Sequence, residues 1–171
     1  MQQVLASESG LLEKSLSVEE AQQMRKTFVG MWAMDSSGEA LARSEYERMV
    51  LKPQREGGGN NCYKGDIPSL LDQMAARDES RQDGQKERDG YILMELIQPG
   101  DASNVLVKAG TGKAVRVATI SELGVYGVCL YRRQEVLVNR QAGHLLRTKG
   151  SDSHEGGVVV GASGLDSVLL V

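Results

Sequence analysis

Residues 77–90 read RDESRQDGQKERDG, and the patterning of the chain changes across this stretch. Before it, apolar residues recur at three- and four-residue spacing, the period of helices buried on one face. After it come short runs rich in β-branched residues, separated by glycine or by charge, the pattern of strands joined by turns. A chain with helices first and a strand meander later folds as α+β with a mainly antiparallel sheet. The charged stretch itself reads as a solvated helix end and an exposed loop.

In the helical part, Ser17-Val18-Glu19-Glu20 has the form of a capping box, and Val18, Ala21, Met24, Phe28 and Trp32 follow on one helical face. Asp35-Ser36-Ser37-Gly38 reads as the end of that helix. A second helix is expected over residues 39–47, and Met49-Val50-Leu51-Lys52 reads as a strand before Pro53. Asp66-Ile67-Pro68 reads as a helix start, with Asp66 as cap and Leu70, Leu71 and Met74 as the buried face. Strands are expected at residues 91–97, 105–108, 114–120, 124–130 and 135–139. The segment GSDSHEGGVVVGASG that follows is glycine-rich and irregular.

A chain of 171 residues is long enough for one domain with a real core. Lys and Arg number 20 against 23 Asp and Glu, a net charge of -3, which argues against a dedicated nucleic-acid binder. Cys62 and Cys129 stand far apart with no CxxC spacing, so neither a zinc site nor a disulfide framework is indicated, and a reduced, cytoplasmic setting is the default. No apolar run is long enough to span a membrane. The opening MQQVLASESG has no positive flank before an apolar core, so it is no secretory signal, and it reads like the middle of a domain.

Four stretches carry chemistry. In VLKPQREGGGNN, three consecutive glycines stand between Glu56 and Asn60-Asn61. Neither the GxxxxGK[ST] loop nor the GxGxxG fingerprint is present. Consecutive glycine amides such as those of Gly57, Gly58 and Gly59 can form a concave nest for phosphate oxygens, and Lys52 offers a point charge to a phosphate. Glu56 is a hard oxygen ligand of the kind Mg²⁺ takes, and Asn60 and Asn61 add donors and acceptors. A plain loop is the competing reading. In YILMELI, Met94 either fills a core gap or packs on an adenine ring whose edge is read by an exposed strand edge. In GHLLRTK, Arg147 and Lys149 either clamp a carboxylate and a phosphate or form a solvated basic turn, and His144 reads as a structural donor. Glu122 in ISELG is either a surface carboxylate or a group that holds ribose hydroxyls or a metal.

VLKPQREGGGNN, YILMELI, ISELGVYGV and GHLLRTK, in that order and followed by the glycine-rich segment, resemble the eukaryotic-type glutathione synthetases, which are ATP-grasp ligases. The resemblance runs along the whole chain. It implies an ATP-dependent carbon–nitrogen ligase of cytoplasmic glutathione biosynthesis. ATP phosphorylates the carboxylate of γ-glutamylcysteine, and the amine of glycine then attacks the acyl phosphate. Mg²⁺ is the implied cofactor. The chemistry is mostly positioning and charge neutralisation, and no side chain receives a covalent or acid–base role.

The resemblance assigns ATP to Lys52, Pro53, Gln54, Arg55, Glu56, Gly57, Gly58, Gly59, Asn60, Asn61, Tyr63, Met94, Glu95, Leu96, Ile97, Glu122, Lys149 and Glu155. Glu56 is the implied Mg²⁺ ligand, and Arg147, Val158 and Val159 would meet the peptide substrate. Glu155 stands where the family tends to have Asp, and Val158-Val159 where it often has smaller residues. Family members are much longer and dimeric. Residues 1–171 are therefore expected to be the C-terminal part of an ATP-grasp ATP-binding domain, without the N-terminal substrate-binding domain. The alternative is a non-catalytic module, derived from the ligase, that binds nucleotide or a protein partner.

Overall fold

The computed structural model describes residues 2–6, 10–55, 59–100, 102–107, 110, 112–153, 158 and 163–168. The chain divides into two compact units, Met1–Ile97 and Gln98–Val171. Helix and antiparallel sheet are combined, as the patterning predicts.

The first unit runs α1 (Gln2–Ala6), α2 (Val18–Arg25), β1 (Met31–Ala33), α3 (Ser36–Ser44), β2 (Met49–Pro53), β3 (Cys62–Tyr63), α4 (Asp66–Asp78) and β4 (Tyr91–Glu95). The sheet order is β1-β4-β2-β3, with every pairing antiparallel. Alternation along the strands sorts the side chains to two faces. Met49, Leu51 and Leu93 face α3 and α4, where they form one buried cluster with Met34, Ala42, Ile67, Leu71 and Met74. Val50, Lys52, Tyr63, Ile92 and Met94 fall on the opposite face.

The capping box forms as expected. Ser17 Oγ accepts from the Glu20 amide at 3.2 Å, and Glu20 Oε2 accepts from the Ser17 amide at 2.9 Å. The helical face expected through Phe28 and Trp32 does not. α2 stops at Arg25, and the Thr27 hydroxyl donates to the Met24 carbonyl at 2.7 Å. Trp32 lies in β1, paired with Leu93 of β4, so strand pairing overrides the local period. Asp35 begins a helix rather than ending one. Its Oδ1 accepts from the amides of Ser37 at 3.0 Å and Gly38 at 2.9 Å, satisfying two free donors of α3. A Cβ on Gly38 would stand 1.9 Å from the Ala33 carbonyl oxygen, so only glycine lets α3 approach β1 this closely. α4 starts without a side-chain cap, with Asp66 as its first helical residue. Its buried stripe is Ile67, Leu71 and Met74, and Leu70 is half-buried.

Residues 79–86 are exposed, as the charge pattern predicts. The end of this charged stretch departs from that reading. Arg77 pairs with Glu87 at 2.6 Å, the Glu87 amide donates to Asp78, and Arg88 is only 12% exposed and pairs with Glu39 of α3.

The second unit holds β5 (Ala102–Val107), β6 (Ala114–Arg132), β7 (Glu135–Gly150) and β8 (Gly164–Asp166), antiparallel in sequence order. The expected break at residues 121–123 does not exist, and β6 runs straight through it for 19 residues. β7 likewise continues past residue 139 to Gly150, so GHLLRTK is strand and not a basic turn. Both strands are long because each is the other's partner, with register from Thr119↔Gly150 to Arg132↔Glu135.

Candidate functional site

β2 and β3 pair as an antiparallel hairpin, and Gly59 lies in the connection between them. Val50 pairs with Tyr63 and Leu51 with Cys62, so the chain leaves the sheet at Pro53 and re-enters at Cys62. Pro53 is tolerated at this strand end because it has no N–H to give to the ladder. The Gln54 amide then donates to the Gly90 carbonyl at 2.7 Å, which ties the loop's first residue to the entry of β4. Arg55 is hydrogen-bonded to Asn60 across the loop, and Asn61 Nδ2 donates to the Tyr63 hydroxyl at 3.0 Å. Gly59 has φ +79°, a conformation that favours glycine. Glu56, Gly57 and Gly58 lie outside the described residues.

Lys52 stands at the end of β2, half-buried, opposite Ile92 of β4. Its neighbours on that sheet face are Val50, Met94 and Tyr63. The result is a floor of aliphatic, thioether and aromatic side chains, with Val50 buried and Tyr63, Ile92 and Met94 half-buried, and one ammonium at the end of β2. Such a floor suits the flat face of a heterocycle, and the ammonium suits an anion attached to it. Burial pushes the Cys62 thiol up, helped by Asp66, so the cysteine beside the loop is not set up as a thiolate nucleophile.

The expected strand edge at Met94 is not an edge. β4 lies between β1 and β2. The Glu95 amide donates to the Gly30 carbonyl at 2.9 Å, and the Leu96 amide to the Arg48 carbonyl at 2.8 Å. The Glu95 carboxylate is 3.4 Å from the Gly30 amide and 3.9 Å from the Arg48 guanidinium. Residues 94–96 are thus fastened on both sides, and Ile97 is the first residue beyond the ladder, 66% exposed.

In the second unit, Glu122 and Arg147 are register partners and form an ion pair. Lys149 pairs with Ile120, so Glu122, Arg147 and Lys149 lie on one face of the sheet. His144 is exposed, opposite Val125. Val158 is half-buried in a turn. Glu155 and Val159 lie outside the described residues. Each unit therefore gathers its own subset: Lys52, Tyr63 and Met94 in the first, and Glu122, Arg147 and Lys149 in the second.

A cavity of about 540 Å³ in the first unit is bordered by Glu13, Arg25, Phe28, Gly30 and Trp32, with none of the predicted residues in its wall. No group of three or more His, Cys, Asp or Glu side chains converges among the described residues. No described helix is long and apolar enough to cross a membrane.

The sequence reading passed over a polar cluster on the other face of the second sheet, made by Asn104, Ser121, Thr148 and Asp166. No motif spacing could have found it, because its members come from four strands.

An α+β chain with a lysine at the end of an apolar sheet face suits a domain that binds a nucleotide, and the comparisons with known proteins point to such a domain. The model of the eukaryotic glutathione synthase ATP-binding domain matches residues 1–170, and the chain belongs to this family. It is 41% identical over 175 residues to the chloroplastic glutathione synthetase of Solanum lycopersicum, covering 100% of this chain and 30% of that protein. It is 40% identical to the glutathione synthetase large chain of Schizosaccharomyces pombe, covering 99% and 33%, and 39% identical to the glutathione synthetase of Homo sapiens, covering 94% and 34%. Its fold is similar to the apo structure of a glutathione synthetase-like effector from Globodera pallida, with a TM-score of 0.68 at 26% identity, over 100% of this chain and 33% of that one. The chain thus spans about a third of the length of the relatives it matches.

Proposed function

We propose that this chain is the C-terminal part of the ATP-binding domain of a glutathione synthetase, and that it holds Mg·ATP while a peptide carboxylate is activated. In the proposed reaction an oxygen of the γ-glutamylcysteine carboxylate attacks the terminal phosphorus of ATP, and ADP leaves. The amine of glycine then attacks the acyl phosphate, forming the amide of glutathione and releasing phosphate. Both steps move charge between phosphate and carboxylate oxygens, so fixed cations and amides aimed at those oxygens are what the protein supplies.

The observation that carries the reading is the sheet face that joins Lys52 to Val50, Tyr63, Ile92 and Met94 at the root of the glycine hairpin. On it, the adenine would lie against Met94 and Ile92, with Glu95, Leu96 and Ile97 at its edge. Lys52 and the amides of Gly57, Gly58 and Gly59 would hold the phosphates, flanked by Pro53, Gln54, Arg55, Asn60, Asn61 and Tyr63. In the second unit, Glu122, Lys149 and Glu155 are the residues proposed for nucleotide. Arg147, Val158 and Val159 would meet the peptide substrate.

The described residues offer no preformed metal cage. Mg²⁺ does not need one, since it keeps waters and takes one or two carboxylates plus substrate phosphates. Glu56 is the carboxylate proposed for it, and the bound ion would neutralise phosphate charge. Glu56→Ala should therefore abolish the Mg²⁺ dependence of ATP affinity in calorimetry, and an unchanged dependence would remove Glu56 from the site. Gly58→Val should weaken ATP binding more than it lowers the melting temperature. The reverse order would make the loop structural.

The cytoplasm and a homodimeric parent protein complete the proposal, although relatives named chloroplastic show that the family is not confined to one compartment. A second reading is a module that binds nucleotide or a partner without turnover. It is favoured by the fold shared with a glutathione synthetase-like effector. The chain mixed with Mg·ATP, γ-glutamylcysteine and glycine separates the two: ADP and glutathione in equal amounts support the ligase, and nucleotide binding without either product supports the module.

A further inference from the structure

Thr148 stands between Arg147 and Lys149 in β7, faces away from both, and is 1% exposed. Its hydroxyl donates to Asp166 Oδ2 at 2.8 Å and lies 2.9 Å from Ser121 Oγ. A threonine hydroxyl has one proton. With that proton on the carboxylate, Ser121 is the donor to Thr148. Asn104 Nδ2 donates to the same carboxylate oxygen at 2.8 Å, and the Ser167 amide donates to Oδ1 at 2.8 Å. One carboxylate in β8 thereby gathers hydrogen bonds from β5 and β7 and, through Thr148, from β6.

The sheet needs such a device. Two register shifts, at Tyr126/Gly127 and Leu130/Tyr131, lie between the β6–β7 turn and the Glu122–Arg147 pair. The turn therefore does not carry its register to that pair. A slip of one residue in β7 would swing Arg147 and Lys149 to the opposite face. An apolar core does not prevent the slip, because no apolar side chain described in this unit is buried, whereas Thr119 and Thr148 are.

We propose that Asp166 is a positioning residue: through Thr148 it holds β7 in the register that presents Arg147 and Lys149 together beside Glu122. What those two cations then hold, a peptide carboxylate and a nucleotide, rests on the function proposed above. Consistent with this role, the Ser167 amide first, then the Thr148 hydroxyl and Asn104, hold the Asp166 carboxyl below its ordinary range, so its hydrogen bonds are charge-assisted at neutral pH.

Thr148→Val removes the hydroxyl at nearly constant shape, and Thr148→Ser keeps it. In the full chain, the arginine Nε–Hε NMR signal of Arg147, assigned by its loss in Arg147→Lys, reads how the guanidinium is held. Calorimetry with Mg·ATP reads the consequence. Thr148→Ser should keep the signal, with affinity within about twofold of the unaltered chain. Thr148→Val and Asp166→Asn should shift and broaden the signal and weaken Mg·ATP about tenfold, roughly the worth of one charge-assisted hydrogen bond. Identical signals in folded Thr148→Val and Thr148→Ser overturn the positioning role. If Thr148→Val does not fold, Asn104→Ala takes its place, and an unmoved Arg147 signal there overturns the proposal equally. An unaltered chain that binds no Mg·ATP contradicts the proposed function instead, and the NMR comparison still decides the role of Asp166.

Discussion

Leu51 in β2 is fully buried, whereas Val128, also in the middle of a strand, is 46% exposed in β6. The contrast extends to the units that hold them. In Met1–Ile97, α3 and α4 cover one sheet face and the strands surrender Met49, Leu51 and Leu93 to a shared core. In Gln98–Val171, Val125, Leu130, Tyr131 and Val136 are each more than half exposed, and the buried side chains among those described are two threonines. The first unit is held by the removal of apolar surface from water. The second is held by strand pairing and by hydrogen bonds that converge on Asp166. The difference bears on function: an apolar floor suits a heterocycle, and a pinned ladder suits cations that must keep their spacing.

Truncation should expose the contrast most sharply. Leu51→Ala leaves a cavity in the first core and should cost about 2–5 kcal/mol in urea unfolding. Thr148→Val removes the central link of the second unit's network and should cost about 1–3 kcal/mol, because it strips partners from a buried polar cluster. Should the two costs exchange places, the assignment of a core to one unit and a polar lock to the other would be wrong.

Acid should act through carboxylates in both units. The Gly38 amide, then the Ser37 hydroxyl, hold the Asp35 carboxyl below its ordinary value of 3.8, and the Ser167 amide does so most strongly for Asp166. Each folded pKa lies below the unfolded one. The stabilisation is therefore complete above the ordinary aspartate range and is lost as pH falls through the lowered folded value. Asp35→Asn keeps a good cap but cannot titrate, so it should remove the share of acid lability that α3 contributes and leave stability near neutral pH almost unchanged. Urea midpoints of both chains, followed from neutral pH to below 3.8, check this; parallel curves would exclude Asp35 as a contributor. The smallest effect should come from Val128→Ser, within about 0.5 kcal/mol of neutral, because that side chain already faces water. A loss as large as that of Leu51→Ala would show that the hairpin is covered after all.

What the sequence disclosed follows the same division. β2, α4, β4 and the capping box at Ser17 were legible because each is local: an apolar run, a helical stripe, a Ser and a Glu three residues apart. Asp35 was misread because an Asp-Ser-Ser-Gly run suits a helix end as well as a start, and the choice is made by the close passage of Gly38 over Ala33. Trp32 kept the helical period and still went to a strand, since β4, sixty residues on, offered it a partner. The continuity of β6 and β7 was hidden for a related reason: a long hairpin exists through pairing rather than propensity. At the candidate site, Lys52, Met94, Arg147 and Lys149 could be named from their motifs. The sharing of a sheet face by Lys52 and Met94 follows from register alone, and Asp166 meets Asn104 across 62 residues of sequence.

The most direct test of the central claim is calorimetric titration of the chain with Mg·ATP, beside Lys52→Met and with circular dichroism as the check on folding. The account predicts saturable binding at one site, weakened about tenfold or more in a folded Lys52→Met chain by the loss of one charge-assisted phosphate contact. Equal affinity in both chains, or no binding to the unaltered one, would contradict it.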